Sequence, residues 1–145
     1  MKTVKISESG IDKAVKEASR TIEEGGLVAF PTETFYGIGA GYDDSQALKK
    51  LYGLKKRDRD NAISLIIGKT EQLSLLTPAV STFAVRLIER FWPGPLTLLF
   101  RALADISVFI SAGTGKVAVR IPGESFSLKL ARSMHIPITA TSANI

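Results

Sequence analysis

Four groups of side chains in this sequence have the types and placement for ligand chemistry. Thr32 and Thr34 directly follow the apolar run "LVAF", Arg120 ends "VAVR", and Ser142 and Asn144 close "TATSAN". Hydroxyls and an amide suit hydrogen bonds to a small polar molecule, and an arginine suits two-pronged capture of a carboxylate or phosphate. In open α/β sheets ligands bind just beyond strand ends, which is where these groups fall. The fourth group is cationic: "LKKRDR" places Lys55, Lys56, Arg57 and Arg59 within five residues, next to a glycine-rich turn, and suits a polyphosphate. With no side-chain nucleophile in evidence, the chemistry expected is attack on a nucleotide phosphate, helped by positioning and charge neutralisation. Each group also has a plainer use. Thr32 and Thr34 suit capping of their own turn, and a Lys/Arg cluster suits a solvated helix end.

Several other chemistries are excluded or unsupported. The chain has no cysteine, which rules out disulfides, thiolate catalysis and cysteine metal sites. Its one histidine, His135, lies in a connecting "SMHIPI", so histidine triads and zinc sites lack material. "AGTGKV" fails as a phosphate-binding P-loop: Ile110 stands where the first glycine is required, and Val117 follows the lysine. "GIGAGY" lacks the third glycine spacing of a dinucleotide fingerprint. Neither a nucleophile elbow nor a zincin motif occurs.

The positioning elements follow from periodicity. "VKI" reads as a short strand, and "GIDKAVKEASRTIEEGG" puts Ile11, Ala14, Val15, Ala18 and Ile22 on one helical face before Gly25-Gly26 stops it. "LVAF" is the next strand. "DDSQALKKLYGLKKR" reads as a helix capped by Asp44 or Ser45 with Gly53 near its end, and "AISLIIG" as a strand buried on both faces. A helix starting at Pro78 should bury Val80, Phe83, Ala84, Leu87, Ile88 and Phe91. In "FWPGPLT", Pro93 and Pro95 around Gly94 make a rigid corner on which Trp92 packs. "KVAVRI" is a strand, "ESFSLKLARSM" a helix and "IPITATSANI" a final strand. The class is α/β, an open twisted mixed sheet with flanking helices. At 145 residues one domain is expected, with no apolar stretch near the roughly 20 residues needed to span a bilayer and no signal-peptide core at "MKTVKISES". A cytoplasmic location is expected. The formal net charge of +5, from 19 Lys+Arg against 14 Asp+Glu, favours anionic partners.

In order, "FPTETFYGIGA", "LKKRDRDN", "FWPGPLTLLF", "VAVRIP" and "PITATSAN" resemble the signature blocks of the YrdC/TsaC family, the threonylcarbamoyl-AMP synthases. The resemblance covers about Gly26 to Ile145. It implies a YrdC-like open twisted α/β sheet with a basic concave face. It also implies synthesis of threonylcarbamoyl-AMP from L-threonine, bicarbonate and ATP, with Mg2+ and with release of pyrophosphate. Another protein, the threonylcarbamoyl transferase complex, then modifies tRNA with the product. Carried over by motif, Thr32, Arg120 and Ser142 contact threonine, with Arg120 on its carboxylate. Lys55 and Arg57 are the catalytic cations on the ATP phosphates, Arg59 and Asn144 complete the nucleotide side, and Tyr36 shapes the pocket. Glu33, Asp58 and Asp60 are expected as surface charges, one of which could help hold Mg2+.

The chain departs from the pattern in places. Asp58 replaces the usual proline after Arg57, Ala62-Ile63 replaces proline-leucine, and Lys116 stands where some members have threonine. Residues 1–145 are expected to form one YrdC-like domain that lacks its C-terminal end, since the "SAN" block usually continues further. Two alternatives stay open. One is the related carbamoyl-adenylate chemistry of hydrogenase maturation, against which the lack of accompanying domains weighs. The other is a double-stranded RNA or tRNA-binding module without catalysis, for which no base-reading motif is present.

Overall fold

The computed structural model describes residues 1–56, 58 and 60–144, so Arg57, Arg59 and Ile145 lie outside the described residues. The first regular element is a short 3-10 turn, Glu8–Gly10, that runs into helix α1, Ile11–Glu23. Residues 4–6, expected as a strand, carry no regular structure. Helix α1 buries Ala14, Val15, Ala18 and Ile22, the face its periodicity predicts, and its end is set by Gly25 at φ 81°.

Strand β1, Val28–Pro31, and strand β2, Tyr36–Gly39, form an antiparallel hairpin in which Pro31 faces Tyr36 across a four-residue turn. The sequence reading treated "YGIG" as part of the turn. Pairing overrides the glycine content: Gly37 and Ile38 are held on their other side by Ser142 and Thr141 of β7, Thr141–Ser142. Helix α2, Ser45–Lys55, starts where Asp44 Oδ1 accepts the Ala47 N–H at 2.9 Å, and buries Ala47, Leu48, Leu51 and Tyr52. It ends at Lys56, which takes the left-handed conformation at φ 47°.

Strand β3, Leu65–Ile66, is fully buried as expected but short. A 3-10 turn, Thr70–Leu75, follows it. Helix α3, Thr82–Phe91, begins four residues after Pro78, because Ser81 Oγ accepts the Ala84 N–H at 3.1 Å and so sets the cap. Ile88 is the one fully buried side chain of this helix, while Phe83 is 70% and Phe91 44% exposed. The inner stripe is therefore narrower than the sequence implied. Trp92 is buried, with Nε1 donating to the Leu96 carbonyl at 2.7 Å across the proline corner. Strand β4, Leu98–Arg101, helix α4, Val108–Ser111, strand β5, Lys116–Arg120, helix α5, Phe126–Ser133, and strand β6, Ile138–Thr139, complete the chain before β7.

The strands form a three-stranded antiparallel sheet, β1-β2-β7, and a four-stranded mixed sheet, β4-β5-β3-β6, in which β3 and β5 are parallel. Residues 138–142 belong to both. On one side Ile138 bridges Gly41 and the Thr139 N–H donates to Ala40 O at 2.9 Å; on the other, Thr139 pairs with Leu65 and the Ala140 N–H donates to Ser64 O at 3.0 Å. Thr139 is wholly buried, and its Oγ1 accepts the Ala40 N–H at 2.9 Å. The single last strand foreseen from "IPITATSANI" is thus a bent run that stitches two sheets into one curved surface. Helices α1 and α5 cover one face through Ala18, Ile22, Leu130 and Met134 against Phe30, Ile66 and Ile138. Leu48, Leu51, Leu65, Ile67, Val117 and Val119 lie in the larger core cluster.

Candidate active site

The turn between β1 and β2 is organised by Thr32. Its hydroxyl donates to Phe35 O at 2.5 Å and accepts the backbone N–H groups of Thr34 and Phe35, each at 3.1 Å. The Thr32 N–H also donates to Phe35 O at 3.0 Å. The turn-capping use of Thr32 is therefore present in the structure. Thr34 Oγ1 lies 3.2 Å from Thr32 Oγ1. Beside the turn, a side chain built on Gly37 would meet the Thr32 methyl at 3.4 Å and Thr141 O at 3.6 Å, so the hairpin, the turn and β7 crowd together at this point.

Lys55, the last residue of α2, reaches the same strand. Its ammonium donates to Thr141 Oγ1 at 3.2 Å, to Ser142 Oγ at 3.4 Å and to the Ser142 carbonyl. Ser142 Oγ in turn donates to Asn144 Oδ1. Ser142 faces Gly37 in the β2–β7 ladder, and the Ala143 N–H donates to Tyr36 O at 2.8 Å. Lys55 from "LKKRDRDN" and Ser142 and Asn144 from "PITATSAN" thus form one connected polar group. Arg57 and Arg59 fall outside the described residues.

Arg120, at the end of β5, makes an ion pair with Glu33 in the hairpin turn, Nη1 to Oε1 at 2.7 Å, with side chains 20% and 22% exposed. Glu33 was expected as a surface charge, and the structure corrects this. The pair is surprising on the sheet order alone, which places β2, the 138–142 run and β3 between β1 and β5. At about 4.8 Å per strand a flat sheet would hold these strands on the order of 19 Å apart. The 2.7 Å contact shows that the fold nonetheless brings the hairpin turn and the end of β5 together. The sequence carried no signal for it, because two residues 87 positions apart show no shared pattern.

Tyr36 is 59% and Phe35 80% exposed, so neither ring is packed into the core. Among the described residues no group of three or more His, Asp or Glu side chains could hold a metal ion. A hollow of about 420 Å3 lies elsewhere, between the Thr70–Leu75 turn and Pro78 to Val80. It gathers none of the cations and hydroxyls above, so the chemistry-bearing groove is the better candidate site. No helix among the described residues is long and apolar enough to cross a membrane.

Residues 20–145 match the family model Sua5_yciO_yrdC, described as "Telomere recombination". The chain belongs to the Sua5/YciO/YrdC family. Over 131 residues it is 43% identical to the threonylcarbamoyl-AMP synthase of Pyrococcus abyssi (strain GE5 / Orsay), which covers 90% of this chain and 38% of that protein. The Bacillus subtilis (strain 168) threonylcarbamoyl-AMP synthase is 40% identical over 135 residues, covering 92% of this chain and 39% of the relative. The chain therefore spans about two fifths of the length of these two relatives. The crystal structure of P. abyssi Sua5 complexed with L-threonine superposes with a TM-score of 0.86 at 42% identity, covering 98% of this chain and 41% of that one. The mixed α/β fold expected from the signature blocks is the Sua5/YrdC fold, with its strands divided between two joined sheets.

Proposed function

We propose that this chain carries the chemistry of a threonylcarbamoyl-AMP synthase, joining L-threonine, bicarbonate and ATP and releasing pyrophosphate. The observation that carries the reading is the convergence of Lys55 from one motif with Ser142 and Asn144 from another, beside the Thr32 turn. The naming of the P. abyssi and B. subtilis relatives supports the same reading.

In this mechanism the threonine amine bonds to the carbon of bicarbonate, and water leaves, giving a carbamate. A carbamate oxygen then bonds to the α-phosphorus of ATP as the bond to pyrophosphate breaks. Arg120 orients the threonine carboxylate, and Thr32 and Ser142 hydrogen-bond the amino acid. Lys55, with Arg57 and Arg59, neutralises charge on the phosphates as pyrophosphate departs, which lowers the barrier by stabilising developing negative charge. Asn144 sits on the nucleotide side. Mg2+, implied by the family resemblance, would enter with ATP and help neutralise the phosphate charge. The product passes to the transferase proteins that modify tRNA, in a cytoplasmic setting.

Pyrophosphate release measured with each substrate omitted in turn tests the proposal. Release that requires both L-threonine and bicarbonate supports it. Equal release without threonine contradicts it, and salt-sensitive RNA binding without turnover would favour a nucleic-acid-binding module.

A further inference from the structure

We propose that Glu33 is an internal carboxylate that competes with the amino-acid ligand for Arg120, and so sets the affinity for that ligand. The inference rests on the assignment of Arg120 to the substrate carboxylate made above.

Three observations carry it. First, a carboxylate already occupies the guanidinium, at 2.7 Å. The position therefore accepts the chemical group that an α-amino acid would bring. An arriving carboxylate must take the guanidinium from Glu33 or share it.

Second, the two side chains are only 20% and 22% exposed. Partly desolvated charges are costly to leave unpaired, so Arg120 favours one carboxylate or the other over none. An uncharged ligand cannot complete the exchange.

Third, among the described residues the hydrogen bonds of Thr32, Thr34 and Phe35 are internal to the turn. The Glu33–Arg120 pair thus ties this turn to β5. When a ligand carboxylate displaces Glu33, this tie is broken while the Thr32 network stays intact. The pair lowers the apparent affinity for a carboxylate by the fraction of time it is made.

Glu33→Gln keeps the side-chain shape and removes the charge. In calorimetry with L-threonine, the variant should bind about 3-fold or more tightly than the unaltered chain, as expected when a competing ion pair is lost. L-threoninol, which has no carboxylate, should bind both proteins alike. Weaker or unchanged L-threonine binding by the variant overturns the proposal. A second measurement does not need threonine. The Arg120 Nε–Hε resonance, titrated with sodium acetate, should reach its midpoint at lower acetate in Glu33→Gln. Equal midpoints, or no response in either protein, overturn the proposal as well. A lower acetate midpoint in the variant with no L-threonine binding by either protein leaves the competition standing and removes threonine as the ligand. Thermal melting of both proteins confirms that the comparison is between folded states.

Discussion

Lys55 Nζ lies 3.2 Å from Thr141 Oγ1, which joins the C-terminal end of α2 to a strand 86 residues further along the chain. The ammonium also contacts both oxygens of Ser142. One side chain therefore ties the end of α2 to the last strand, and it is also the cation proposed for the ATP phosphates.

Lys55→Ala should lower ATP-dependent turnover at least tenfold, because charge-assisted contacts to phosphate are worth about 1.5–3 kcal/mol. The same change should speed amide hydrogen exchange at residues 141–143, which the ammonium helps to hold. Lys56 is exposed, and it ends the helix in the left-handed conformation, so Lys56→Ala should alter turnover less than about twofold. Steady-state kinetics on the two variants separate a specific cation from a diffuse basic patch.

Thr32→Val removes the hydroxyl that accepts two N–H groups and donates to Phe35 O. Thermal unfolding should show a loss of about 1–2 kcal/mol, in the range of a lost side-chain cap. Thr32→Ser keeps the hydroxyl and should recover most of that stability. If Thr32 also contacts threonine, the valine variant will raise KM for threonine more than the serine variant does.

Gly68 follows β3 at a contact with α5, and a Cβ there would stand 2.5 Å from Arg132 Cα and 2.6 Å from Ala131 O. Both neighbours are backbone, so neither can rotate aside. Gly68→Ala should destabilise the fold by about 1–3 kcal/mol in denaturant titration, the usual cost of overpacking.

Helices α1 and α2 were legible because their signals are local: Asp44 accepts the Ala47 N–H, and their buried faces repeat with helical spacing. Helix α3 starts later than Pro78 implies, because the Ser81 cap and not the proline sets it, and the short α4 carries no such periodic signal. The placement of Thr32, Arg120 and Ser142 at strand ends was legible too. What stayed hidden depends on distant pairing. "YGIG" becomes a strand because Ser142 and Thr141 pair with it, and Glu33 pairs with Arg120, a partner 87 positions away. The bend at Ala140, which divides one run between two sheets, likewise has no local marker.

Tyr42 has its phenol held above the ordinary value of 10.0, chiefly by burial and then by the nearby Asp43 and Asp105 carboxylates. The unfolded chain therefore loses this proton at lower pH than the folded one. Above about pH 10 the native state binds more protons, and stability falls as pH rises through that window. Tyr42→Phe should flatten the fall. Chemical denaturation of both proteins across the alkaline range checks the sign.

The most direct test of the central claim is a pyrophosphate-release assay with ATP, bicarbonate and either L-threonine, L-serine or no amino acid. The account predicts release with L-threonine, slower release with L-serine, whose missing methyl costs roughly 1 kcal/mol of contact, and none without an amino acid. It predicts a large loss in Arg120→Ala that added L-threonine only partly restores. Release at one rate under all three conditions, or unaffected by Arg120→Ala, would contradict the account.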